Sequence, residues 1–406
     1  MRINPTKTIN ELITALSYII DTEGNKHIYH SWRVSILSAR IAKGLVGPQK
    51  LRNIFYASLL HDVGGVEFSH HIIHYLKRND RASRNLLLPH PIIGAQLISN
   101  IPQMNSVAKL ILDHHEWMNG MGYPRARTEK YIPFGSQVIR ISDSIDILLQ
   151  TEHFSKLKRL KDRMSSNINR EYSQGLFKRA IDKLKKDKFF YTIREQNNIP
   201  IIFKETKDQI GSIPIPSRID AIGKTLEIFA QIIDMKHPYT SGHSLRVARY
   251  AMACALTMHL AHDDVTRIRW AGLIHDIGKI NVARRILDKP TSLTPKEFRE
   301  VKKHAIMSRD IMNMIPTLKE LTPIVAGHHE YFDGSGYPLG LKGYQIPLEA
   351  RILVICDAFD AMISNRPYRN PLSPEDACHE IEKFSGQQFD PDVVKEVLPL
   401  FRNLGL

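Results

Sequence analysis

One ordered series of histidine and aspartate residues occurs twice in this chain. The order is His, His-Asp, His, His-His, Asp, with intervals of 31, 29, 24 and 28 residues in the first copy and 32, 29, 24 and 28 in the second. The first copy consists of His30, His61, Asp62, His90, His114, His115 and Asp143, and the second of His243, His275, Asp276, His304, His328, His329 and Asp357. Matching intervals at a displacement of 213 to 214 residues indicate an internal duplication. The 406 residues therefore predict two related domains.

Both copies place ionisable side chains among apolar ones. His275 and Asp276 interrupt the apolar run 272–280, where an unpaired polar group would cost several kcal/mol. An isolated His-Asp pair is more often a structural pair whose hydrogen bonds are satisfied. Seven candidate ligands in a repeated order instead favour a metal site, and imidazole with carboxylate suits Zn, Fe or Mn better than Ca or Mg.

The composition is typical of a globular protein without membrane spans. Hydrophobic residues make up 43% and charged residues 24%, and no apolar run approaches the ~20 residues that cross a bilayer. The N-terminus has no secretory signal, so we expect a cytoplasmic protein. Three cysteines, Cys254, Cys356 and Cys378, are expected to be reduced packing residues, because they form neither a disulfide framework nor a Cys-rich zinc pattern.

Apolar residues recur at helical spacing along the whole chain, for example from Ile9 to Ile20 and from Ile222 to Met235. The fold is therefore predicted to be all-α, with two tandem domains. We place the first domain at 1–205, a linker rich in Pro and Gly at 206–218, and the second domain at 219–406.

The segment from Lys156 to Arg194 is strongly basic, with 13 Lys and Arg against 4 Asp and Glu. A basic surface can attract nucleic acid or anionic lipid. Apolar residues interleave with the charges, which favours helices that complete the first domain and expose a solvated basic face. Nucleic acid is therefore not expected as a partner.

The second series also contains Gly336-Tyr337-Pro338 between its His pair and its last Asp. The order His, His-Asp, His, His-His, Gly-Tyr-Pro, Asp resembles the HD-GYP group of the HD phosphohydrolase superfamily, with high specificity from Ile219 onward and lower specificity over residues 1 to about 150. The resemblance implies an all-helical fold and a binuclear metal site. It also implies hydrolysis of a cyclic dinucleotide, cyclic di-GMP or 3′,3′-cyclic GMP-AMP, to a linear dinucleotide or on to mononucleotides.

The resemblance also implies the metal ligands and the metals. One ion would be held by His243, His275, Asp276 and Asp357, and the other by Asp276, His304, His328 and His329, so that Asp276 bridges. Iron or manganese is expected. Some members bind a third metal through a Glu four residues before the first His, but this chain has Tyr239 there, so two ions are expected in the second domain.

Further residues are candidates for substrate contacts. Lys279 stands one helical turn after His275, where it would neutralise a phosphate oxygen or protonate the leaving 3′ oxygen. Arg366 and Arg369 either grip a phosphate or a base edge or are ordinary surface arginines. The resemblance places the Gly-Tyr-Pro loop, with Tyr337 and Asp333, at the site, where it shapes substrate access or contacts partner proteins.

The first copy retains every metal ligand and Gly122-Tyr123-Pro124 but loses the cations. Gly65, Asn119, Glu152 and Ser155 stand where the second copy has Lys279, Asp333, Arg366 and Arg369. Since a substrate dianion needs those charges, the first domain is expected to bind metal without efficient turnover and to sense a ligand or support the second domain. A second active site of different specificity is the alternative.

Two other functions remain open from the sequence. Simpler members of the superfamily remove phosphate from mononucleotides, and the Gly-Tyr-Pro loop with five histidine ligands argues against this as the sole activity. A non-catalytic signalling scaffold is the other alternative, and the complete ligand set with Lys279 argues against it in the second domain. The residues do not choose between the two cyclic dinucleotides, and they leave the oligomeric state open.

Overall fold

The structure is a computed structural model that divides into two compact units, Pro5–Ala221 and Met1–Asn4 with Ile222–Leu406. Within the residues it describes, regular secondary structure is helical, and the β-type pairings are isolated bridges. The all-α prediction is therefore confirmed. The described residues are 3–22, 28–66, 68, 85, 87–152, 154, 156–215, 220–236, 241–365 and 370–403.

The described part of the first unit contains ten α-helices. They are α1 Pro5–Thr22, α2 His30–Ala42, α3 Pro48–Leu60, α4 His90–Ser99, α5 Asn105–Leu112, α6 Phe134–Thr151, α7 Leu157–Ser165, α8 Gln174–Lys185, α9 Phe189–Thr192 and α10 Ile199–Ile210.

The second unit contains nine α-helices among the residues described there, the first of which begins just before the unit boundary. They are α11 Asp220–Met235, α12 His243–Thr257, α13 His262–Ile274, α14 Arg284–Leu287, α15 Pro295–Met312, α16 Thr322–Ala326, α17 Leu348–Ile363, α18 Pro374–Lys383 and α19 Pro391–Arg402.

The apolar stripes predicted from the sequence form the cores. In α1 the stripe from Ile9 to Ile20 is buried, as expected for the inner face of an amphipathic helix. Local signals set several helix starts: Thr294 caps α15 through a capping box with Glu297, and Ser173 caps α8 by accepting the Leu176 N–H.

The helices deliver several of the repeated histidines at or next to their ends. α12 begins with His243, and α13 ends one residue before His275. The first unit does the same with His30 at the start of α2 and His61 directly after α3. These helix ends meet His304 on α15 and Asp357 on α17, which lie inside their helices, so residues more than 100 positions apart reach one site.

The segment predicted as a linker differs from the structure. α10 continues to Ile210, and its Phe203 stacks on Trp32 with ring centroids 4.1 Å apart. Asn10 and Thr6 then accept the N–H groups of Ile213 (3.2 Å) and Ile215 (2.9 Å).

Residues 206–215 therefore pack on the first unit, contrary to the linker prediction, and the unit boundary lies at Ala221. The Pro and Gly residues suggested a free linker, but Ile213 and Ile215 are both buried in the first unit. Residues 216–218 lie outside the described part of the chain.

We expect Phe203→Ala to lower the free energy of unfolding of the first unit by about 3–5 kcal/mol, because a buried aromatic ring leaves a cavity beside Trp32. Urea denaturation followed by tryptophan fluorescence measures the change. Glu205→Ala, on the exposed side of the same helix, is the control. Equal loss in both variants would contradict a structural role for the 199–215 segment.

Candidate metal centre and active site

The Asp276 carboxylate lies between two groups of histidines in the second domain. Its Oδ1 is 3.4 Å from His304 Nε2 and 3.7 Å from His328 Nε2. Its Oδ2 is 3.3 Å from His275 Nε2 and 3.8 Å from His243 Nε2. One carboxylate thus presents one oxygen to each group, which is the arrangement of a bridging ligand.

The two remaining candidate ligands join these groups. Asp357 Oδ1 is 3.2 Å from His243 Nε2, and His329 Nε2 is 3.1 Å from His304 Nε2. The structure therefore brings together all seven residues of the second series in the two sets that the resemblance implied.

Backbone carbonyls orient most of the histidines. His275, His304 and His328 each direct Nδ1 at a carbonyl oxygen three residues earlier in the chain, at 2.8, 2.6 and 2.6 Å. Because the Nδ1–H donates to this oxygen, Nε2 keeps its lone pair and points at Asp276. Such outer hydrogen bonds are the usual means of fixing the tautomer of a metal-binding histidine.

Asp360 orients the fourth histidine and was not predicted as a site residue. Its carboxylate accepts the His243 Nδ1–H at 2.7 Å and is bound by Arg246 through Nε at 2.6 Å. Burial alone would raise the pKa of Asp360, but His243 and Arg246 lower it. The sequence contained a signal, since Asp360 and Arg246 recur in the first copy as Asp146 and Arg33, which make the same contacts.

The charges of the site suit a cation. Burial alone would raise the pKa of Asp276, but Lys279 and His275 hold it well below its usual range. Burial lowers the pKa of His304 to about 3, so this imidazole is neutral at neutral pH. Burial opposes protonation of His243 too, but Asp357 and Asp360 raise its pKa to about 9. A divalent ion would displace that proton, which couples binding to pH.

Lys279 reaches the site by a different geometry from the one predicted. The helix ends at Ile274, and a 3₁₀ helix, Ile277–Asn281, follows the His-Asp pair. Side chains three residues apart eclipse in a 3₁₀ helix, so Lys279 lies over Asp276 and pairs with its Oδ2.

The Gly-Tyr-Pro loop packs behind His329. The Tyr337 ring centroid is 4.8 Å from that of His329, and the Tyr337 N–H donates to the His329 carbonyl oxygen at 3.0 Å. Glu330 is buried and accepts the N–H groups of Leu339 (2.6 Å) and Leu341 (3.0 Å). The loop therefore forms a wall that supports a candidate ligand.

Asp333 has a different place in the same loop. It is exposed, and its Oδ1 accepts the N–H of Ser335 at 2.8 Å, which closes the turn before Gly336. Its predicted contact with substrate stays a prediction. Three other predicted positions, Arg366, Arg369 and Tyr239, lie outside the described residues.

The first domain repeats the centre. Asp62 Oδ1 is 3.5 Å from His90 Nε2 and 3.6 Å from His114 Nε2, and Oδ2 is 3.6 Å from His30 Nε2 and 3.3 Å from His61 Nε2. His115 joins the first of these groups and Asp143 the second. The candidate ligands of the metal site predicted in the first domain therefore lie close together.

Unsatisfied buried atoms test whether these residues fit metal ions. In the second domain, His275 Nε2 and Asp276 Oδ1 are buried and make no hydrogen bond, although buried polar groups normally do. His275 Nε2 lies on the side of Asp276 Oδ2, and Asp276 Oδ1 lies on the side of His304 and His328. Two divalent ions, one on each side of the carboxylate, would satisfy these two atoms, so the donor set fits metal.

Comparison with known proteins identifies the class. The family model described as HD domain matches residues 14–170 and 227–393, one match in each unit. The chain therefore belongs to the HD domain family and carries two copies in tandem. Its relatives and its Gly-Tyr-Pro loops place it in the HD-GYP group, as the resemblance predicted. None of the described helices is long and apolar enough to cross a membrane.

Particular relatives refine the comparison. The 3′3′-cGAMP-specific phosphodiesterase 3 of Vibrio cholerae is 30% identical over 321 residues, which cover 79% of this chain and 68% of that protein. The 3′3′-cGAMP-specific phosphodiesterase 1 of the same organism is 25% identical over 401 residues. The match covers 94% of this chain and 90% of that protein. The cyclic di-GMP phosphodiesterase of Thermotoga maritima is 40% identical over 46% of this chain, and the match spans 51% of its length.

A solved structure shows the same fold. The crystal structure of the cyclic GMP-AMP specific phosphodiesterase V-cGAP3 of V. cholerae superimposes with a TM-score of 0.67 and 23% identity, and covers 98% of both chains. The tandem helical architecture is therefore confirmed over nearly the whole chain.

We expect Gly278→Ala to reduce the metal content of the second domain. A Cβ at this position would lie 2.2 Å from the His304 carbonyl oxygen and 2.7 Å from the Ser308 nitrogen, so the 3₁₀ turn that follows Asp276 would have to move away from α15. Elemental analysis of the purified variant measures the loss. Gly175→Ala, where a Cβ has open space, should retain the wild-type content. Full metal content in the Gly278 variant would show that this close approach is not needed.

Proposed function

We propose that the second domain is a metal-dependent phosphodiesterase that hydrolyses a cyclic dinucleotide to a linear dinucleotide or on to mononucleotides. The observation that carries the proposal is the Asp276 carboxylate, which presents one oxygen to each of two histidine groups. The names of the relatives support the substrate class. The first domain is proposed to bind metal without efficient turnover and to regulate or support the second.

The cofactor is proposed to be two divalent ions, Fe or Mn, in the second domain. When bound, such ions act as Lewis acids toward a phosphoryl oxygen and lower the pKa of water so that it can attack at neutral pH. The chain's own contribution is geometric and electrostatic. His243, His275, Asp276 and Asp357 would hold one ion, and Asp276 with His304, His328 and His329 the other.

Lys279 is proposed to act on the phosphate. Its Nζ pairs with Asp276 Oδ2, so a phosphate bound at the centre lies within reach of the same ammonium group. The lysine side chain is 21% exposed, which leaves it open toward an incoming substrate. It would neutralise a phosphate oxygen or protonate the leaving 3′ oxygen. Substrate contacts by Arg366, Arg369, Tyr337 and Asp333, and partner binding by the Gly-Tyr-Pro loop, remain predictions.

The extent of the matches supports one cyclic dinucleotide as the first to test. The relatives that match 79% and 94% of this chain are named as 3′3′-cGAMP-specific, whereas the T. maritima match, named for cyclic di-GMP, covers 46%. This favours 3′,3′-cyclic GMP-AMP as the first substrate to test. Product analysis on both cyclic dinucleotides and on mononucleotides decides between them, and turnover of mononucleotides alone would replace the proposal with a nucleotidase.

We expect Lys279→Ala to retain metal but slow hydrolysis on the order of 10²-fold, because a charge aimed at the transition state is removed. Steady-state kinetics at saturating substrate, together with elemental analysis, separates the two effects. Lys383→Ala removes the same charge from an exposed position on α18 and should leave the rate unchanged. An unchanged rate in the Lys279 variant would show that this residue does not act on the phosphate and only pairs with Asp276.

The two domains should respond differently to loss of their centres. His275→Ala with Asp276→Ala is expected to abolish hydrolysis, because these changes remove the shared ligand and one of its histidines. His61→Ala with Asp62→Ala should leave the chemistry in place and alter stability or the regulation of turnover, since the remaining ligands lose their common partner. Turnover, metal content and melting temperature are compared for both variants. A folded first-domain variant that is as inactive as the second-domain variant would refute the division of labour.

A further inference from the structure

A buried arginine distinguishes the first metal centre from the second. Arg140, on α6, places Nη1 3.2 Å from Asp143 Oδ2 and 3.2 Å from His115 Nδ1. Its side chain is 11% exposed. α6 and α17 correspond at the same displacement as Asp143 and Asp357, so the matching residue of the second domain is Val354, which is apolar and buried.

The hydrogen bonds of the other histidines show what is unusual about His115. In the first domain, His61, His90 and His114 direct Nδ1 at the carbonyl oxygens of Ser58, Leu87 and Ile111, at 2.8, 2.6 and 2.6 Å. His30 directs Nδ1 at the Asp146 carboxylate at 2.7 Å. Each of these four partners is an acceptor, so in the neutral imidazole each Nε2 carries the lone pair that a metal ion needs.

His115 faces a donor instead. A guanidinium group has N–H donors and no acceptor, and it remains protonated in proteins. When Arg140 donates to His115 Nδ1, that nitrogen uses its lone pair and the ring proton resides on Nε2. In this tautomer the imidazole has no lone pair left for an ion.

Arg140 is also held in place as a fixed charge. Glu171 accepts from its Nη2 at 2.7 Å and from its Nε at 3.2 Å. The cation therefore stays beside the position formed by Asp62, His90 and His114, where it opposes a second cation by Coulomb repulsion. The position formed by His30, His61, Asp62 and Asp143 keeps its ligands, because Asp143 Oδ1 still faces His30 Nε2 at 3.6 Å while Oδ2 binds Arg140.

We infer that Arg140 withdraws His115 from the ligand set, so that the first domain holds one divalent ion, at His30, His61, Asp62 and Asp143. The second domain, with Val354 in place of the arginine, holds two. The inference rests on the metal binding proposed above but not on hydrolysis. It gives a structural reason for the loss of binuclear chemistry in a domain that keeps all seven candidate ligands.

The test uses the full chain with His275→Ala and Asp276→Ala. These changes disrupt the centre of the second domain, so that the centre of the first domain is the one tested for two bound ions. After reconstitution with Mn²⁺, we expect one ion at this domain by elemental analysis and the electron paramagnetic resonance spectrum of an isolated Mn²⁺. Adding Arg140→Val and Glu171→Gln should bring in a second ion and give the spectrum of an exchange-coupled pair. The backbone bonds Asn119 to Arg170 and Asp333 to Gln387 align Glu171 with Gln388, so these changes recreate the second-domain pair Val354 and Gln388.

Glu171→Gln alone keeps the guanidinium and is the matched control, expected to bind one ion. The parent is the chain with His275→Ala and Asp276→Ala only. The inference would be overturned if the first domain of the parent bound two coupled ions or none. It would also be overturned if the Arg140→Val, Glu171→Gln variant folded and still bound one ion. The parent measurement decides the stoichiometry even if the variant fails to fold. Because the readout is metal and not turnover, failure of the phosphodiesterase proposal is detected separately, by the activity of the wild-type chain.

Discussion

Each domain depends on one buried carboxylate that faces two sets of imidazoles. Asp276 and Asp62 direct their two oxygens to opposite sides, with distances of 3.3 to 3.8 Å to the nearest Nε2 atoms. An ionised carboxylate in such a place is costly unless positive charge or hydrogen bonds compensate it. The helices that end at this point therefore bring their histidines together for an electrostatic reason, and the same requirement makes the site a binding place for cations.

The outer hydrogen bonds make the centre a defined site rather than a cluster of polar residues. Backbone carbonyl groups three residues earlier in the chain fix the tautomer of most of the histidines. Asp360 does the same for His243 and is in turn held by Arg246. Close backbone approach at Gly278 and the packing of Tyr337 on His329 add steric limits. Ligand identity and ligand orientation thus come from different parts of the fold.

The duplicated domains diverge in the charges that surround an otherwise repeated ligand set. Beside Asp276 stands Lys279, which pairs with its carboxylate, whereas the first domain has Gly65 at that position. Beside Asp143 and His115 stands Arg140, where the second domain has Val354. We propose that the first cation assists phosphate chemistry and that the second, which lies among the candidate ligands, competes with metal. Similar ligand sets can therefore support different functions.

The sequence by itself determined the duplication and the helical class, because residue type and spacing record them directly, and its resemblance to the HD-GYP group implied the two ligand sets. The apolar stripe of α1 and the series from His243 to Asp357 are examples. Tertiary structure alone decided the details that depend on contacts between distant segments. Residues 206–215 look like a linker until Phe203 is seen on Trp32 and Ile213 beside Asn10. The 3₁₀ turn that sets Lys279 over Asp276 follows from the approach of Gly278 to α15. The role of Arg140 emerges only when α6 places its guanidinium against His115, since a tautomer is fixed by the partner atom and not by the order of residues.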